Sequence, residues 1–216
     1  MNWKKYMCSA ACALLLAASM PAWAQDDFPD YRSKRENFMK MQEKDLRGEM
    51  ASFAMAGIDE STGKLPLKKM PMKDYGKNFM QFEGNGIQVK VTVAPFVSAG
   101  HKLKYFDEKH LVKIDNKSYY GSYGTMPKTV IQSVEVMAGA DSVQIPAVAY
   151  NDIFNPSFSY QDAGTSKTLD AVYLSNDNRT IYIYMLSKDT SGSYEVTWII
   201  RDKKYVRRVV DFNLLK

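Results

Sequence analysis

Two histidines, His101 and His110, are the only imidazoles in the 216 residues, and Asp107 and Glu108 lie between them. Metal chemistry there would need both rings and a carboxylate. Their spacing on an irregular segment matches no zinc pattern, so both read as exposed loop histidines. A serine hydrolase would have to draw its base from the same pair, and no G-x-S-x-G turn occurs to present a serine. Gly121-Ser-Tyr-Gly124 does not lead into a helix carrying Lys-Ser/Thr, so no phosphate loop and no nucleotide are implied. The readings are no catalytic constellation, no metal site and no cofactor.

Two other clusters carry groups that bind ligands. In Tyr150-Asn-Asp-Ile-Phe-Asn155, the side chains of Tyr150, Asn151, Asp152 and Asn155 would suit a sugar or cation site. Paired acids across a groove would extend this to glycoside hydrolysis. The plainer reading is an Asn/Asp turn and capping cluster at a short helix starting at Pro146. The second cluster is Tyr119, Tyr120 and Tyr123, an aromatic, glycine-rich loop. Tyrosine gives large contact area at low side-chain entropy cost, so these three are a candidate interaction surface. They could equally close one end of a sandwich, and both readings stay open.

Met1 to Ala24 has a basic start (Lys4, Lys5), an apolar middle around Leu14-Leu-Leu16, and Pro21-Ala-Trp-Ala24 before Gln25. This pattern is a bacterial secretory signal peptide with an A-x-A cleavage site, too short to span a bilayer comfortably. Cys12 lacks the position and preceding leucine of a lipid attachment site. The expectation is a secreted or periplasmic chain, residues 25–216, without lipid or transmembrane segment. Both cysteines, Cys8 and Cys12, go with the leader. A cysteine-free chain has no disulfide, no thiolate ligand and no cysteine nucleophile. Loss of Lys4 and Lys5 lowers the formal charge from +5 to +3. That surplus leans toward acidic or glycan partners and gives nucleic-acid binding no support.

The elements that must position any site are mostly strands. Thr180–Leu186, Tyr194–Ile200 and Tyr205–Phe212 are β-branched and aromatic runs joined by polar turns short enough for hairpins. Trp198 shares a face with Tyr194, Val196 and Ile200, and that face is expected to be the core side, packed against the helix stripe. The last strand has no cleanly apolar face, because Arg208 falls among Val206, Val210 and Phe212. Ile87, Val89, Val91 and Val93 alternate with polar residues, the clearest half-buried strand in the chain. Leu111–Ile114 with Ser118–Tyr120, and Thr129–Met137 with Ser142–Ile145, read as hairpins, and Leu169–Leu174 as a further strand. Leu65–Phe82 reads as an irregular crossing with a methionine cluster. Phe28, Tyr31, Phe38, Met39, Leu46, Met50 and Phe53 form one stripe of an amphipathic helix over roughly residues 30–55.

The expected fold is mainly β, a single domain over residues 25–216. It is an antiparallel β-sandwich or strongly bent sheet of about eight or nine strands, with the N-terminal helix packed on it. The expected function is a non-enzymatic protein-binding or recruitment module acting on another extracytoplasmic protein, by capture, inhibition or shielding of a secreted enzyme. The alternatives are a carbohydrate-binding or carbohydrate-processing β-domain and a structural envelope component.

Overall fold

Alternation of apolar and polar side chains over residues 87–93 becomes alternation of buried residues with exposed or half-buried ones, and the same period recurs in other strands. The computed structural model describes residues 40–53, 67–122, 124–188 and 193–212. All of them belong to the unit Tyr31–Lys216. The chain is mainly β and its sheets are antiparallel.

Sheet I holds β1 (Lys68–Lys69), β11 (Ala171–Leu174), β12 (Thr180–Ser187), β13 (Tyr194–Arg201) and β14 (Lys204–Phe212), hydrogen-bonded in that order. Sheet II holds β2 (Met72–Tyr75), β3 (Phe79–Gly84), β4 (Ile87–Pro95), β7 (Thr129–Ala138) and β8 (Asp141–Val143). Two hairpins stand apart: β5 (Leu103–Tyr105) with β6 (Leu111–Ile114), and β9 (Tyr160–Asp162) with β10 (Thr165–Lys167). Val89, Val91 and Val136 of sheet II share one buried cluster with Ile183, Val196 and Trp198 of sheet I. The opposite face of sheet I contributes Tyr182, Ile199 and Val209 to a second cluster, with Met41, Leu46 and Met50. Leu46 and Met50 come from α1 (Lys44–Ala51).

Several expectations change on contact with the structure. The described residues hold fourteen strands, more than expected. Leu65–Phe82 is no irregular crossing where described, because it supplies β1, β2 and part of β3. Strand β6 pairs with β5, not with Ser118–Tyr120, which makes only isolated bridges. Where described, the helix is interrupted: Lys40 and Lys44–Ala51 are helical, Met41 to Glu43 between them are not, and the stripe residues before residue 40 lie outside the described residues. Trp198 is fully buried, as expected, but against sheet II. Its neighbour Ile199 faces Leu46 and Met50 instead.

The mixed face of β14 has a local cause. Pairing runs from Ile199↔Arg207 to Ile200↔Tyr205, so Val206 is an extra residue in a β-bulge. The bulge shifts the phase, and Tyr205 packs against the main core while Val206 is solvent-exposed.

Candidate interaction surface

The two residue clusters singled out by type meet in space. Tyr120 N–H donates to the Asp152 carbonyl and Phe154 N–H donates to the Tyr120 carbonyl, each at 2.9 Å. A side chain on Gly121 could not survive this approach, because its Cβ would lie 2.1 Å from the Phe154 carbonyl oxygen, and its φ of +85° suits glycine. Their chemistry, however, points inward.

Tyr119 is buried and its hydroxyl donates to the Leu111 carbonyl at 2.9 Å. Its ring meets Phe154 edge-on at 5.6 Å, inside a third apolar cluster with Leu111 and Ile114. Tyr120 is half-buried among Tyr194, Phe212 and the Arg208 guanidinium. Neither offers a free tyrosine face. Tyr123 lies outside the described residues.

Asp152 is no turn cap. Its carboxylate takes two hydrogen bonds from Arg208, at 2.5 and 2.6 Å, with side-chain exposures of only 10% and 4%. Arg208 and the Trp198 indole N–H both donate to the Ala149 carbonyl, tying the segment after Pro146 to β13 and β14. Only Ala147–Ala149 of that segment is helical, as a single 3-10 turn. Asn155 Oδ1 accepts from the Lys128 and Thr129 backbone N–H groups at 2.8 and 2.9 Å. Tyr150 packs half-buried against the main core and Asn151 is exposed. A sugar site would need the polar groups of Asp152 and Asn155, and both are already engaged within the fold.

What the third cluster does is mount the β5–β6 hairpin. Leu103, Leu111 and Ile114 pack with Tyr119, Phe154 and Phe96, fixing the hairpin's base. At its tip, Phe106 N–H donates to the His110 carbonyl at 2.8 Å. Asp107 accepts from the Lys109 and His110 backbone N–H groups and from the His110 ring, at 2.6 to 2.8 Å. Those backbone donors, then the imidazole, hold the Asp107 carboxyl down to about 2. His101 is bound in the same manner by Asp115, whose pKa is lowered chiefly by the Lys102 N–H and then by His101. Each histidine therefore sits on its own carboxylate, and among the described residues no three metal-ligating side chains converge.

This rigid tip presents Phe106, which is 84% exposed. Tyr105 before it is also exposed, as are Val97 and Met126 on the neighbouring segments, where Phe96 N–H donates to the Lys128 carbonyl and Leu111 N–H to the Gly124 carbonyl. Type and spacing gave no hint of Phe106. A single phenylalanine before Asp-Glu-Lys-His resembles any strand end, and only the hairpin pairing places it at an exposed tip.

No family model matches the chain, and neither a curated protein nor a solved structure does. No helix among the described residues is long and apolar enough to cross a membrane.

Proposed function

We propose that the chain is an exported, non-enzymatic binding module that acts on another extracytoplasmic protein. Met1 to Ala24 would direct export and be removed. Residues 25–216 would remain as one domain, a β-sandwich of sheets I and II with the helix covering the outer side of sheet I. The working surface is the loop end around the β5–β6 hairpin, not the tyrosines. One observation carries this reading: Phe106 is exposed at the tip of a hairpin that is locked by Asp107 and seated on its own apolar cluster. Aromatic side chains held rigidly at low entropy cost are the usual anchors of protein interfaces, and an apolar ring in water has no folding role to explain it.

The experiment is photo-crosslinking in intact producing cells. A benzophenone amino acid replaces Phe106 in one strain and exposed Gln88, on the solvent side of β4, in another. A discrete protein adduct from position 106 that is missing from position 88 is the expected result. Adducts only to lipid or glycan, or none, would overturn the reading.

A further inference from the structure

We infer that the protein bound at this loop end presents an acidic surface, an inference that rests on the protein-binding reading above. The first observation is a like-charge pair. Lys104 and Lys113 lie directly opposite each other across β5 and β6, on the side of the hairpin away from Leu103 and Ile114, which pack below. Like charges in that position destabilise a sheet, and among the described residues no carboxylate pairs with either lysine. The second is the charge balance of the surrounding loops. Among the described residues none of Lys102, Lys104, Lys109, Lys113, Lys117 and Lys128 is in an ion pair. Two of the local acids, Asp107 and Asp115, are each held by a histidine. With Glu108 counted, residues 102–128 carry six lysines against three acids, and the Lys104–Lys113 pair lies on the hairpin whose tip carries Phe106. A carboxylate-rich protein surface with an apolar notch for Phe106 complements both features, and long-range attraction would speed its encounter.

A membrane with anionic headgroups would satisfy the lysines but not the tip. Phe106 is a single ring on a tip held by Asp107, too little apolar surface to anchor the chain in a bilayer. A lipid surface also has no use for a tip locked into one shape, whereas a protein pocket does.

The test is Lys104→Glu in the full-length exported chain. Replacing the like-charge pair by an opposite-charge pair should raise the thermal midpoint by about 1–3 °C. The same change should lower the yield of the position-106 protein adduct by roughly five- to tenfold. Lys90→Glu, an identical charge change on the solvent side of β4, should leave the yield intact. A more stable protein that binds less cannot be a misfolded one. An adduct that survives Lys104→Glu undiminished overturns the acidic partner while leaving the protein-binding reading standing. Equal losses in Lys104→Glu and Lys90→Glu would mean that net charge alone matters, which also overturns it. Absence of any protein adduct in the parent chain removes both.

Discussion

Asp170 shows how one buried side chain ties two strands together and what that costs. Its carboxylate accepts from the Leu186 N–H at 3.0 Å and from the Thr168 hydroxyl at 3.1 Å, at the end of β12 and the entry to β11. No cation compensates it among these partners, and burial pushes its pKa from 3.8 up to about 7. Between about pH 4 and pH 7 the folded chain therefore holds a proton that the unfolded chain has released, and this group's contribution to stability falls as pH rises through that window. Asp170→Asn keeps an acceptor for the Leu186 N–H and removes the ionisation. It should melt above the parent at pH 8, with the difference shrinking by pH 5. A variant that melts lower at pH 8 would mean that the carboxylate is held as an anion. Nothing in the sequence singled out Asp170, because one acid within the strand read over Leu169–Leu174 gives no sign of what buries it. Asp152 was singled out and its partner was not: Arg208 lies 56 residues away and meets it only through folding. Trp198, by contrast, was legible as a buried side chain from its place in the most apolar run. The wrong part was what it packs against, since strand alternation says which residues share a face but not which layer covers it.

At the scale of elements, α1 and β14 divide apolar from ionic contributions clearly enough to measure. Leu46 is buried against Tyr182 and Ile199, whereas Asp45 reaches Arg201 across a surface that leaves Asp45 57% exposed. Leu46→Ala should cost about 2–5 kcal/mol of unfolding free energy. Asp45→Ala should cost under ~1 kcal/mol, because exposed ion pairs are screened and entropically expensive. Chemical denaturation of the two variants checks the order, and an Asp45 effect as large as that of Leu46 would put the attachment of α1 on charge instead. Of the expected stripe, Leu46 and Met50 lie on α1 and share a buried cluster with Tyr182 and Ile199, while Phe53 lies past the end of α1 and is partly buried beside them. The stripe gave no sign of the break at Met41 to Glu43, where Glu43 adopts extended backbone and accepts from Arg207 at 2.6 Å. Periodicity cannot register that tertiary contact. Likewise β14 looked weakly specified because the Val206 bulge breaks its period. The same bulge, with Arg207 and Arg208 beside it, also makes this long strand at the end of sheet I a poor template for pairing with another chain.

Taken whole, the molecule is organised by β12 and β13, which are buried on both faces. One face meets sheet II and the other meets the cluster of Leu46 and Met50. That double burial is why both strands read as nearly continuous apolar runs and were the easiest to find. Strands β1, β2, β5, β9 and β10 were missed for the opposite reason: they are two to four residues long, largely solvent-facing, and exist by pairing with a partner far from or beside them. Strand β3 was missed although Met80 and Phe82 are buried, because the prolines, glycine and lysines around it made Leu65–Phe82 read as irregular. Two layers sharing the same central strands should unfold together, so one cooperative transition is expected. If export removes Met1 to Ala24, nothing covalent supports that transition, since Cys8 and Cys12 are the only cysteines and both lie in the leader. Protein collected from the extracytoplasmic fraction should begin at Gln25, show no thiol reactive to Ellman's reagent in guanidinium, and melt at the same temperature with and without dithiothreitol. A reactive thiol, or a melting point lowered by the reductant, would show that a leader cysteine persists in the working protein, and the proposed cleavage would have to be given up.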